Sequence, residues 1–314
     1  MSEIFEWRFA GRGITALAAL AAGLAQTRAD SVFLAPVADT TLIETVPDNN
    51  MGAQLYVNAG TTQNYTRNRG LFKFDLAGQV PPGSRVTSVT VTFEVVHEPK
   101  DGYASASFDL HRVLRAWGEG DQVSADPHSP GLGAPATAGE ATWNHRFALT
   151  TNTWAAPGAA ATNDYVAVPS AEQAIYDLSN SPYTFGPEAG LTADAQLWLD
   201  HPETNFGWLL KCADETFNFT ARRFGSREDP DNAPILEVDY DPPLRITQAG
   251  ISGGKLTLQF TALPGQSYAV EFSDTLRTGS WSTLTNLTGS AAGTNVVVVA
   301  PTGGAPKFFR LRTP

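Results

Sequence analysis

The chain of 314 residues has one cysteine, two methionines and only 21 lysines and arginines against 32 aspartates and glutamates. The lone thiol, Cys212, cannot close an internal disulfide. It sits in the alternating run Gly207-Trp208-Leu209-Leu210-Lys211-Cys212, where a buried side chain is expected rather than a nucleophile. A net charge of −11 argues against nucleic acid as a partner, because phosphate binding needs a basic face. Any polyanion must therefore be met locally. Recognised catalytic motifs are missing too. His97, His111, His128, His145 and His201 show no metal-ligand spacing, and there is no Walker A or Rossmann loop. Gly250-Ile251-Ser252-Gly253-Gly254 matches a nucleophile elbow as a string, but a second strand pattern follows it where a helix is required. The expectation is a protein that is not an enzyme.

Long apolar runs are also scarce. Arg8 and Arg12, an Ala/Leu segment from Ile14 to Leu24, and small residues before Gln26 and Asp30 read as a secretory signal peptide over residues 1–29, cut after Ala25 or Ala29. Glu3 and Glu6 offset the two arginines. The segment is short for a bilayer span and no later run is long enough, so the mature chain is predicted to be soluble and exported, outside the cell or at its surface. A long secreted chain without disulfides points to a bacterial source. On that reading the sequons Asn64-Tyr65-Thr66, Asn218-Phe219-Thr220 and Asn286-Leu287-Thr288 arise by chance.

What the chain does have is strand patterning. Val89, Val91, Phe93 and Val95 alternate with Thr90, Thr92 and Glu94, and the same period of two recurs at Phe72, Phe74, Leu76 and at Leu236, Val238, Tyr240. The prediction is an all-β chain, with a jelly-roll β-sandwich over residues 30–241. Within it, Asp121 to Gly139 reads as a long loop, and Thr192 to Leu199 as the one helix, with Thr192 as its N-cap. Asp241-Pro242-Pro243 ends the ladder, and residues 242–314 are predicted to form a second, smaller β-sandwich.

The segment from about Ser31 to Tyr240 resembles the DNRLRE domain, also classed as carbohydrate-binding module family 96. The matching blocks begin with Pro36-Val37-Ala38-Asp39-Thr40-Thr41-Leu42, Arg69-Gly70-Leu71-Phe72-Lys73-Phe74-Asp75-Leu76 and Pro82-Gly83-Ser84. They continue with Trp117-Gly118-Glu119-Gly120, Ala141-Thr142-Trp143, Asn205-Phe206-Gly207-Trp208, and Phe224-Gly225-Ser226-Arg227-Glu228 before Pro234-Ile235-Leu236. The literal name-giving hexapeptide is absent. The resemblance implies a jelly roll that binds polysaccharide, with acidic glycans such as alginate among the ligands. The tail is similar, more loosely, to small C-terminal β-domains of exported proteins from environmental bacteria.

Two arginine clusters stand out in this acidic chain: Arg67 with Arg69, and Arg222 with Arg223 and Arg227. Guanidinium forks pair bidentately with carboxylates and so suit uronic acids; alternatively they pair with Glu228 and Asp229 or hold loop carbonyls. Lys73 alternates with Phe72 and Phe74 and points away from the core. Trp198 and Trp208 are expected in the core, whereas Trp143 and Trp154 lie in polar surroundings and are candidates to stack on sugar rings. The predicted ligand site is Arg67, Arg69, Lys73, Arg222 and Arg227, with Trp143 as platform. Among the acidic loop residues, Asp39, Glu119 and Asp121 are candidates for a structural calcium, which takes six to eight oxygen ligands. Solvated carboxylates are the alternative. Three functional classes compete: a glycan-binding module, an adhesive matrix protein, and a glycan-active enzyme.

Overall fold

In the computed structural model, residues 3–7, 17–19, 30–99, 103–124, 131–252, 255–263, 265–289, 294–301 and 307–313 are described. The chain is all-β and divides into two compact units. One is Asp30–Asp241. The other is Pro242–Pro314 together with the short strands Glu3–Trp7 and Leu17–Ala19.

The first unit is a sandwich of two antiparallel sheets. Its smaller sheet runs Tyr183–Phe185, Arg85–Phe93, Ile235–Asp241, Asp30–Leu34. The larger runs Ala171–Ile175, Ala106–Arg112, Trp208–Cys212, Arg67–Lys73, Tyr56–Thr61, Arg222–Gly225, Val95–His97, with Ala38–Ile43 also paired to Arg67–Lys73. Strands adjacent in space are mostly distant in sequence, which is the long-range pairing of a jelly roll.

The period of two explains which residues lie between the sheets. Along Arg85–Phe93, Val86, Val89, Val91 and Phe93 are buried while Thr87, Thr90 and Thr92 are open or half-open. Phe72, Phe93, Phe108, Phe185, Phe224 and Trp208 fill the centre. Phe93 meets Phe72, Phe185 and Phe224 edge to face, at 4.9, 5.6 and 5.9 Å between ring centroids. Such pairs add about 0.5–1.5 kcal/mol each beyond burial of area.

The helix spans Ala189–Asp200, three residues earlier than Thr192. Thr192 is thus inside the first turn, its hydroxyl donating to the Glu188 carbonyl at 3.3 Å. Packing sets the start, because the longer helix brings Leu191, Ala195 and Trp198 onto the core, where Trp198 meets Trp208 at 4.4 Å. The Asp121–Gly139 stretch is not all loop, since Ala134–Pro135 pairs with Asn49–Asn50. Its residues 125–130 lie outside the described ones.

A second, smaller core lies on the other side of the large sheet. Leu71 and Leu209 alternate with residues of the central core and, with Leu42, pack under Val113, Trp143, Trp154 and Tyr165. Described parts of the segment between the Ala106–Arg112 and Ala171–Ile175 strands therefore roof part of the sheet's outer face.

The second unit has two four-stranded antiparallel sheets around Leu256, Leu258, Phe260, Tyr268, Val270, Phe309 and Leu311. Ile246–Ser252 pairs with Lys255–Ala262, so Gly250, Ile251 and Ser252 lie in a strand and the next described element is a second strand, not a helix. Glu3–Trp7 and Leu17–Ala19 occupy sheet edges beside Lys307–Arg312 and Thr294–Pro301. The cleavage points after Ala25 and Ala29 fall outside the described residues. Among the described residues no helix is long and apolar enough to cross a membrane.

Candidate functional site

The predicted ligand residues do not form one groove. Arg67 and Lys73 lie at the two ends of a seven-residue strand, about 20 Å apart at the usual rise per residue. Arg227 belongs near the Lys73 end, since its backbone N–H donates to Asp39 and Asp39 pairs with Phe72.

The roof explains what happens to Arg67, Arg69 and Trp143. Both guanidinium groups stack on the indole, at 5.2 and 5.4 Å from its centroid. Arg69 gives a two-pronged bond to Glu215, at 2.8 and 2.6 Å, and donates to the Gly158 and Ala159 carbonyls at 2.6 and 2.9 Å. Arg67 forks onto Glu44. Trp143 is only 4% exposed, and a Cβ on Gly158 would fall 2.5 Å from its ring, so backbone lies against the indole. Trp143 is a packing residue, not a sugar platform, and Arg69 is committed to the fold. Trp154 is likewise buried, its Nε1 donating to the Thr142 carbonyl.

Arg222 is 2% exposed and holds loop carbonyls: Tyr176 at 2.6 Å, Ala221 at 3.0 Å and Ala104 at 3.1 Å. It cannot reach a polysaccharide. Burial lowers its pKa from the ordinary arginine value, though it stays protonated. Its Nε has no hydrogen-bond partner, and no carboxylate bonds it among the described residues.

Arg227 pairs with Glu119 at 2.5 and 3.1 Å and with Glu228 at 2.9 Å. Asp39, Glu119 and Glu228 bring carboxylate oxygens within 4.8 Å of one another. Two of the three calcium candidates thus converge, with Glu228 as the third. Asp121 is not part of this set, because its carboxylate accepts from Gln122 and its N–H donates to Glu140. Burial pushes the Asp39 carboxyl well above the usual range, and the charges of Glu228 and Glu119 add to it against the Arg227 N–H. Glu228 is raised mainly by burial, and its Oε2 has no partner. An all-oxygen set of this kind suits a hard cation or a shared proton.

Two adjacent concavities are the features best shaped for a ligand. The first is a groove of about 410 Å³ built across five neighbouring strands. Arg223 lies opposite both Asn58 and His97 in the strand register, giving the row His97, Arg223, Asn58. Asn68, Gln63 and Asn64 complete a lining rich in amides, with Glu98 its one acidic side chain among the described residues. The Arg223 guanidinium stacks at 4.3 Å over Tyr56. Gly131, at φ +109°, closes one side. A Cβ there would lie 3.2 Å from the Asn58 amide nitrogen and 3.5 Å from Arg223.

The second concavity, about 610 Å³, is rimmed by Tyr103 and Phe217, which are 44% and 65% exposed. Sequence reasoning looked for platforms among the tryptophans and passed over these rings. The signal available was the pair of triplets Asn64-Tyr65-Thr66 and Asn218-Phe219-Thr220. Both place their aromatic residue at φ 60°, and Asn218 donates to the Gln63 carbonyl, so the two loops face each other. Left-handed backbone is unusual for bulky residues and gathers at functional loops. No protein-family model matches the chain, and no curated protein is recognisably similar to it.

Proposed function

We propose that this chain is an exported, non-catalytic carbohydrate-binding protein whose ligand is an acidic polysaccharide held in the groove around Arg223. The observation that carries the reading is charge placed against composition. In a chain of net charge −11, this groove gathers Arg222, Arg223 and His97, with Glu98 as the single acid among the described residues. Arg222 contributes field rather than contact: among the described residues no carboxylate bonds it, and the charges of Glu98 and Asp177 offset it only in part. Low-dielectric walls focus such a field on the groove while the acidic surroundings reject loose anions. The amides suit vicinal hydroxyls, since each offers donors and an acceptor in one plane.

Support also comes from the ordered resemblance to the DNRLRE family between Pro36 and Leu236, from the N-terminal sequence that reads as an export signal, and from the absence of recognised catalytic motifs. The proposed site differs from the one read off the sequence: Arg223 takes the place of Arg67, Arg69, Lys73, Arg227 and Trp143, and Arg222 is kept for its charge alone.

Affinity electrophoresis through gels containing a polyuronate or a neutral glucan tests this. The polyuronate should retard the protein, and retardation should fade as salt rises through the screening range. Loss of one charge-assisted bond costs about 1.5–3 kcal/mol, so Arg223→Gln should weaken binding roughly tenfold to a hundredfold. Arg67→Ala should leave it unchanged. Absence of retardation by either glycan, or full affinity in Arg223→Gln, overturns the reading. Release of reducing ends or unsaturated sugars by the pure protein would move it to the glycan-active class.

A further inference from the structure

We propose that the cleft rimmed by Tyr103 and Phe217 is a second subsite, which takes the apolar C–H face of a sugar ring in the same chain that occupies the Arg223 groove. This inference rests on the preceding reading and extends it from a charged contact to a polymer laid over two neighbouring clefts.

Tyr103 has the attributes of a fixed platform. Arg222 stacks against its ring at 5.1 Å from the centroid, and its hydroxyl donates to Asp177 Oδ2 at 3.2 Å. The ring is nonetheless 44% exposed. A ring supported by a guanidinium and anchored at its hydroxyl loses little freedom when a ligand stacks on it, and that saving is what preorganisation contributes to affinity. Phe217 is 65% exposed and stands on the same cleft. Its position is set by the loop that Thr220 closes, where the Thr220 N–H donates to the Thr61 carbonyl at 3.0 Å. The cleft also carries Ser105, Ser107 and Asn218 beside these rings, so polar groups that can meet ring hydroxyls sit around an apolar centre. Ligand pockets for small organic rings have this composition, in the range of about 300–1,000 Å³.

Two contacts join the cleft to the groove. Arg222 is part of the groove lining and at the same time supports Tyr103. Asn218, in the cleft, donates to the carbonyl of Gln63, in the groove, at 3.2 Å. A linear ligand leaving the groove therefore meets the aromatic rim next. The charges assign different roles to the two halves. The cleft contains Asp214 and Tyr103 is bonded to Asp177, so a carboxylate is disfavoured there and the ring face is favoured. The groove, by contrast, supplies the arginines. The arrangement suits a polysaccharide with ring faces free for stacking and carboxylates presented along one side, bound along its length and not by its end.

Oligouronates of about two and about six residues, titrated calorimetrically against the full chain, test the subsite. Phe217→Ala should weaken the longer oligomer at least about tenfold and the shorter one less than about twofold. Tyr103→Ala should do the same and Tyr103→Phe should retain most of the affinity, since the ring and not the hydroxyl is the platform. Phe217→Ala is the decisive variant because its side chain is largely in solvent and its loss leaves the Arg222 stack intact. Equal affinity of wild type and Phe217→Ala for the longer oligomer overturns the subsite while the groove reading stands. Failure of wild type to bind either oligomer overturns both.

Discussion

Arg69 offers the sharpest contrast between a ligand residue and a structural one. Its side chain is 8% exposed and that of Glu215 13%, and the guanidinium also serves the Gly158 and Ala159 carbonyls and the Trp143 face. Arg69→Ala would leave a nearly buried carboxylate without its counter-charge and two carbonyls without donors. Breaking a buried pair from one side costs about 3–5 kcal/mol. For a unit of about 200 residues this corresponds to a fall in Tm of roughly 6–20 °C. Arg67→Ala should cost only about 0–1 kcal/mol, because the Arg67 side chain is 39% exposed and its pair with Glu44 is screened by solvent. Thermal and urea unfolding followed by tryptophan fluorescence would read this unit well, since Trp117, Trp143, Trp154, Trp198 and Trp208 all belong to it. The double variant Arg69→Ala/Glu215→Ala should be less unstable than the sum of the two single ones, because it removes the orphaned charge. If Arg69→Ala stays within about 1 kcal/mol of wild type, on the scale of an exposed pair, the structural assignment is wrong.

The carboxylate cluster gives a pH prediction. The folded state raises the Asp39 pKa, so it holds the proton more tightly than the unfolded chain, and stability falls as pH rises from the ordinary value of 3.8 through the raised one. Asp39→Asn keeps an acceptor for the Arg227 N–H and removes the charge. It should be more stable than wild type at neutral pH and equal to it below the ordinary carboxylate pKa, and a variant less stable at neutral pH refutes the argument. Cys212 is 1% exposed, its thiol bonds to the Asp214 carbonyl, and burial pushes its pKa up. A thiol reagent should therefore label it only as fast as the first unit opens, and rapid labelling of the native protein would contradict the packing.

Strand identity was legible because burial and sequence share one period. Phe72, Val89, Val91, Phe93, Trp208, Leu236 and Val238 all lie in the core where alternation puts them. The helix start was not, because no capping side chain marks it: Glu188 stands at the N-cap without a capping bond, its carboxylate accepting from the Glu172 N–H instead. The site was misread for a different reason. Alternation reports which face of a sheet a side chain takes, and Arg67, Arg69 and Lys73 do share a face with Leu71. It cannot report that Val113, Trp143, Trp154 and Tyr165 come to lie over that face and close Arg69 in.

The calcium candidates show the same limit at the level of loops. Asp39 and Glu119 are 80 positions apart and meet because the Asp39 N–H donates to Glu119 Oε1 at 2.8 Å. Glu228 joins them from a third segment, while Asp121, two residues from Glu119, turns to other partners. Nearness in sequence was no guide to nearness in space. The groove follows this logic too. His97, Arg223 and Asn58 come from three strands and become neighbours through register alone, which depends on Arg222–Gly225 entering between Tyr56–Thr61 and Val95–His97. A one-residue slip of that strand would move Arg223 to the opposite face and bring Arg222 out in its place. The burial of Arg222 against five loop carbonyls is what opposes such a slip, so a residue closed off from ligand fixes the position of the one proposed to bind it.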